Sequence, residues 1–158
     1  MSIRTKVIHV PTDVIFRSAT EKDVPAIVAL LADDMIGAGR EGESGRYLAA
    51  FRDVDADPRN HLVVAEIDGE VAGTLQITYI PGLSRMGAER AQIEAVRVAS
   101  AHRSRGLGRE MITWAVDQAK QRGCGLVQLT SDKRRADAIR FYESLGFEPT
   151  HEGLKLQL

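Results

Sequence analysis

The sequence predicts an α/β fold in which an antiparallel hairpin and a parallel β-α-β crossover share one sheet. Three observations carry this. Asp68-Gly69 joins two β-rich runs, HLVVAEI and EVAGTLQITYI, and Asp-Gly between such runs is the strongest short hairpin signal. The strand-like AQIEAVRVA is followed by an amphipathic helical stretch, Gly106–Arg122, and then by the apolar run LVQLT. Such a unit closes as a right-handed parallel crossover. Earlier, Val24, Ile27, Val28, Leu30 and Leu31 recur at helical spacing.

The elements follow in order. Val14–Ala19 alternates and reads as a strand. Thr20 is placed to start a helix, with Asp23 three residues on where it returns the bond. That helix fades in IGAGREGESG, where glycines accumulate. A short second helix is expected around Arg46–Phe51, followed by a polar connection, DVDADPRN. After the hairpin, PGLSRMGAER reads as a loop. Gly123 ends the crossover helix, and a further helix spans Arg134–Leu145 with Gly146 as its C-terminal cap. FEP and LKLQL read as closing strands. The predicted order is β-α-α-β-β-β-α-β-α-β-β.

At 158 residues the chain fits one domain, with residues 1–12 as a loosely ordered or additional segment. Its net charge of −1 argues against a nucleic-acid partner. No apolar run is long enough to span a bilayer, and the N-terminus lacks the apolar core of a signal peptide. The single cysteine, Cys124, excludes an internal disulfide and suits a reducing compartment. A cytoplasmic protein without a membrane or nucleic-acid partner is therefore expected. His61, His102 and His151 are scattered, so no metal site is expected.

The chemistry concentrates in HRSRGLGRE, residues 102–110. A helix N-terminus exposes about four unpaired N–H groups and roughly half a positive charge, and anions bind there. Gly106 and Gly108 remove side chains that would hold a phosphate off the backbone. Arg103, Arg105 and Arg109 add charge and forked donors. The turn thus suits a pyrophosphate; a solvated basic turn with glycines for packing is the plainer alternative. No Gly-Lys-Ser/Thr ending is present, and Met111 stands where a dinucleotide fingerprint has its third glycine.

Arg103-Ser104-Arg105-Gly106-Leu107-Gly108 resembles the R/Q-x-x-G-x-G/A signature of the GNAT acetyltransferases. IEAVRV before it resembles their fourth strand. AIRFYESLGF, Ala138–Phe147, resembles the segment that closes their cofactor site. The element order is similar to theirs from Val14 to Leu158, most closely from Ile93 to Phe147. The resemblance implies a twisted, mostly antiparallel sheet with a parallel, splayed pair of strands and flanking helices. It implies acetyl-CoA as co-substrate. The diphosphate would lie on the turn amides from Arg103 through Ser104, Arg105, Gly106, Leu107 and Gly108 to Arg109. The pantetheine arm would pair with the fourth strand at Val96, Arg97 and Val98. Phe141 would lie beside it, and Arg135 stands where many members have an asparagine that bonds the arm. Asp132 and Asp137 are alternatives for that contact, and a phosphate is the alternative partner for Arg135.

Acetyl transfer to an amine needs a base, because a lysine-like ammonium has a pKa of about 10.4. It also needs a donor for the oxyanion and an acid for the departing thiolate. Glu94, on the face shared with Gln92, is the expected base. It stands among apolar neighbours, so burial is expected to raise its pKa; an ordinary polar strand residue is the alternative. Tyr142 matches the family tyrosine that faces the cofactor sulfur and is the expected acid; a core aromatic is the alternative. A backbone N–H near Val98 is the expected oxyanion donor. Cys124, with no base in its local sequence, reads as structural, and Trp114 as core.

The resemblance further implies an amine acceptor, small molecule or peptide, attacking directly in a ternary complex. It would enter between the first two helices and the loop before the fourth strand. Asp33, Asp34 and Glu89 would attract a cation there, and Arg40 and Arg85 would hold a carboxylate. The family often pairs as homodimers. The other readings are an acyl-CoA-binding sensor with the same fold and little turnover, and a nucleotide-binding regulator.

Overall fold

The computed structural model describes residues 13–42 and 45–158; the expectation for residues 1–12, and part of that for the fading first helix, lie outside them. Five strands form one sheet in sequence order: β1 (Ile15–Ser18), β2 (Asn60–Ile67), β3 (Glu70–Ile80), β4 (Arg90–Val98) and β5 (Leu126–Leu129). The first four pair antiparallel, and β4 pairs with β5 in parallel. The helices are α1 (Val24–Ala32), α2 (Arg46–Ala56), a short turn α3 (Ser84–Gly87), α4 (Leu107–Arg122) and α5 (Ala136–Glu143). No helix among the described residues is long and apolar enough to cross a membrane.

Local chemistry explains most boundaries. The β2–β3 turn is tight because Asp68 and Gly69 both take positive φ, 52° and 80°, as a type I′ hairpin requires. The Asp23 carboxylate accepts the Thr20 N–H at 2.7 Å, and a 3₁₀ turn at Glu21–Asp23 leads into α1, whose second residue is Pro25. Gly123, at φ 85°, stops α4.

The sheet buries both faces. Alternate residues Val63, Leu75, Ile77, Ala91 and Ile93 meet Leu107, Met111, Ile112, Ala115 and Ala119 of α4. The opposite face packs Val64 against Ala19, Ile27 of α1 and Phe51 of α2. Gly73 is packed tightly under α4: a Cβ there would lie 2.7 Å from Met111 Sδ and 3.0 Å from the Arg97 carbonyl. Trp114 stacks on Phe16 at 5.3 Å and tilts against His61 at 5.8 Å.

Three expectations are corrected. The second helix runs to Ala56 rather than Phe51, absorbing half of the expected polar connection. The helix expected over Arg134–Leu145 is shorter, Ala136–Glu143, because Arg134 and Arg135 lie in a turn closed by Asp132. The closing strands do not form: no strand follows α5 among the described residues, and Leu154, Leu156 and Leu158 are exposed. Period-two alternation tells which way side chains would face. It does not supply a neighbouring edge, and this segment's backbone has no ladder partner.

Candidate active site

The arginine-rich turn links β4 to α4. Ser104 (φ 60°) and Gly106 (φ 91°) turn the chain so that α4 starts at Leu107. No side chain caps this start. The first N–H to reach back is that of Glu110, to the Gly106 carbonyl at 3.1 Å. The amides before it have no intrahelical acceptor and carry the positive end of a sixteen-residue helix. A Cβ on Gly108 would make ordinary contacts, 3.6 Å to Phe141 and 3.8 Å to Val98. Packing therefore tolerates a methyl there, yet a larger side chain would fill the space between β4 and α5. The residues present fit a diphosphate.

The three arginines divide their work. Arg103 donates to the Val98 carbonyl at 3.0 Å and to the Asp33 carbonyl and carboxylate at 2.8 and 3.0 Å. It fastens the turn to the end of β4 and to the end of α1. Arg109 donates to Ser144 Oγ at 3.0 Å, which in turn donates to the Phe141 carbonyl. Arg105 is exposed, with no side-chain partner among the described residues. Arg103 and Arg109 are thus held by partners within the protein.

Beside the turn, β4 and β5 part. Their last pair is Ile93 with Leu129, while β4 continues to Val98. One edge of Glu94–Val98 thus faces a gap instead of a strand. At this point β4 is bulged. Ala95 takes φ 53°, and the β3 register slips so that Gln76 faces Glu94 and Thr74 faces Arg97. Partners two apart on β3 lie on one face. Glu94 and Arg97, which simple alternation would set on opposite faces, therefore share the face covered by α1 and α2.

Arg97 ends in a charged knot. Asp34, just beyond α1, places Oδ2 3.0 Å from Arg97 Nε and 2.7 Å from an Arg135 nitrogen at the start of α5. Its Oδ1 accepts the Ile36 and Gly37 amides at 2.9 and 2.6 Å. Burial alone would raise the Asp34 pKa, but the Gly37 amide, Arg135 and Arg97 outweigh it and hold it at about 2. Arg97 is 13% exposed, and burial lowers its pKa. One of its terminal nitrogens donates to the Val96 carbonyl at 2.9 Å, while Nε has no aligned acceptor. Arg135, expected near the cofactor arm or a phosphate, donates to the Asp34 carboxylate at 2.7 Å. Neither alternative for its place lies free: Asp132 binds Arg134, and Asp137 pairs with Arg140.

Tyr142 of α5 is half-buried, edge-on to Phe141 at 5.2 Å and to Phe147 at 5.9 Å. Burial raises its phenol pKa, with Arg97 and Arg135 pulling the other way. Glu94 is exposed, contrary to the expectation of an apolar enclosure. Its neighbours in sequence, Ile93 and Val96, turn toward the α4 side of the sheet, so they do not wrap the carboxylate.

Other expected acceptor groups scatter. Arg40 pairs with Glu41 at 2.7 Å, and Glu41 accepts the Tyr47 hydroxyl. Glu89 pairs with Arg122 at 2.5 Å. Arg85 sits in α3, where it and Met86 hold left-handed backbone. Cys124, expected to lack a base, has the Glu89 carboxylate 3.9 Å from its sulfur. Burial and that charge raise the thiol pKa, which opposes nucleophilic use. Among the described residues no group of three His, Cys, Asp or Glu is arranged to hold a metal.

This part of the chain thus brings together a glycine turn at a helix start, a parted parallel pair of strands and a half-buried tyrosine. The chain belongs to the acetyltransferase (GNAT) family, whose model matches residues 24–147. It is an acyltransferase of that family. It is 32% identical over 123 residues to streptothricin acetyltransferase of Streptomyces lavendulae, covering 78% of this chain but only 58% of that protein. It is 28% identical over 142 residues to aminoalkylphosphonate N-acetyltransferase of Salmonella typhimurium, covering 85% of each. Among solved structures, a protein described as a transcriptional regulator from Bacillus halodurans is 46% identical with a TM-score of 0.89, over 92% of this chain and all of that one.

Proposed function

We propose that the protein moves the acetyl group of acetyl-CoA to a primary amine by direct attack in a ternary complex. The observation that carries this reading is the glycine turn opening onto the gap between β4 and β5. The uncapped amides of Leu107 to Arg109 would hold the diphosphate, with Arg105 as the free side-chain donor. The open edge at Val96 and Val98 would pair with the pantetheine arm. The acetyl thioester supplies the activated carbonyl. Two similar proteins are named as N-acetyltransferases of small molecules, aminoalkylphosphonate and glucosamine 6-phosphate, which supports an amine acceptor here.

The chain's own groups divide the proton work. Glu94, exposed on the acceptor face, takes the ammonium proton, directly or through water. A backbone N–H at the end of β4 donates to the oxyanion. Tyr142, whose raised pKa keeps it protonated at neutral pH, gives its proton to the departing thiolate. A second reading, an acyl-CoA-binding sensor with little turnover, draws on the Bacillus halodurans relative described as a regulator. Calorimetric titration with acetyl-CoA, ATP and NAD tests the seat shared by both. Saturable binding of acetyl-CoA alone is expected; preference for either nucleotide would overturn both.

A further inference from the structure

We propose that the acceptor is an amine that also carries an anionic group, a carboxylate, phosphonate or phosphate, and that Arg97 with Arg135 recognises that anion. This rests on the acetyltransferase reading and narrows its substrate class.

The argument begins with charge. Two guanidinium groups, from β4 and from the start of α5, converge on a single carboxylate oxygen, Asp34 Oδ2. The other oxygen of Asp34 is taken by two backbone amides. The cluster therefore keeps one uncompensated positive charge. Arg40 and its partner Glu41 both interact with Arg97, with opposite sign, so that pair leaves the balance unchanged. Arg97 is largely buried, and its Nε has no aligned acceptor despite lying 3.0 Å from Asp34. That Nε is covered and faces Asp34, so contact with an anion falls to the terminal guanidinium nitrogens of Arg97 and Arg135. Arg135 is 32% exposed, so the cluster opens to solvent on that side. Paired guanidinium groups at such a mouth match the forked geometry of an oxyanion.

Position says which molecule brings the anion. The bulge at Ala95 carries Arg97 to the face of Glu94, where the acceptor amine would be deprotonated. The cofactor's negative charge lies at its diphosphate end, assigned above to the α4 turn. The pantetheine arm that would run past β4 is uncharged. An anion at Arg97 therefore belongs to the acceptor. Its amine end would point toward Glu94, and its acid end toward the two arginines.

The test measures kcat/KM for matched amines that differ only in charge, such as β-alanine against β-alaninamide and an aminoalkylphosphonate against its dialkyl ester. Charge-assisted hydrogen bonds of ordinary strength correspond to a preference for the anionic member of roughly ten- to a hundredfold. In Arg97→Gln this ratio should fall toward one, and in Arg97→Lys part of it should remain. A merely structural arginine would lower both members of each pair alike and leave the ratio unchanged, which overturns the proposal. So does equal or better use of the neutral amines by the unaltered protein, or silence of every anionic amine while acetyl-CoA still binds. Failure to bind acetyl-CoA is a separate result and overturns the acetyltransferase reading instead.

Discussion

Asp34→Asn isolates the charge that ties α1, β4 and α5 together. The amide keeps a carbonyl oxygen for the Ile36 and Gly37 N–H groups, so the local turn survives. Two arginines, 13% and 32% exposed, lose their shared counter-ion. A carboxyl held at about 2 against an ordinary 3.8 corresponds to a ceiling of about 2.5 kcal/mol. Solvent at Arg135 screens part of this, so a loss of about 2 kcal/mol at pH 7 is expected. For a chain of this size that lowers Tm by roughly 4–8 °C. The sign with pH follows from a depressed folded-state pKa. The stabilisation is complete above the unfolded value near 4 and disappears as pH falls through about 2. By pH 3 about half should remain. Urea unfolding of both proteins at pH 7 and pH 3 measures it. Equal stability at pH 7, or a difference that does not shrink at pH 3, would refute the reasoning.

Three further outcomes test the site. Gly108→Val should abolish acetyl-CoA binding in calorimetry while circular dichroism stays unchanged, since a Cβ at this position meets only ordinary contacts; retained affinity would place the diphosphate elsewhere. Tyr142→Phe keeps the ring contacts with Phe141 and Phe147 and should lower kcat about ten- to a thousandfold. A kcat unchanged across the pH range would assign thiolate protonation to solvent. Glu94→Gln should remove or move the acid limb of the kcat/KM profile, with the remaining rate rising with pH as free amine appears; an unaltered limb would take Glu94 out of the mechanism.

Much of the fold, and of the glycine turn that opens α4, is legible from local chemistry. Asp68-Gly69 specifies a turn, Thr20 and Asp23 close on each other, and glycines before an amphipathic run mark an uncapped helix start. Each is a short-range signal whose meaning does not depend on the rest of the chain. The face that carries Glu94 and Arg97 is less legible because it depends on one inserted residue. Ala95 is an unremarkable alanine, yet its positive φ reverses the alternation and sends Arg97 to the side of Glu94. No residue type announces such a bulge. The Asp34 knot joins residues up to 101 positions apart and is equally invisible to spacing. LKLQL errs the other way: its alternation is real, but a strand also needs an edge to join. Glu94 shows a related limit, since apolar neighbours in sequence belong to the opposite face of a strand and do not enclose it.

The central claim, acetyl transfer to an amine, is tested most directly by following thiol release from acetyl-CoA as primary amines are added, with the product identified by mass. The account predicts release that depends on the amine, saturates with it, and yields amine heavier by one acetyl group. Saturable acetyl-CoA binding with no amine-dependent release across acidic, neutral and basic amines would contradict it and leave the sensor reading in its place.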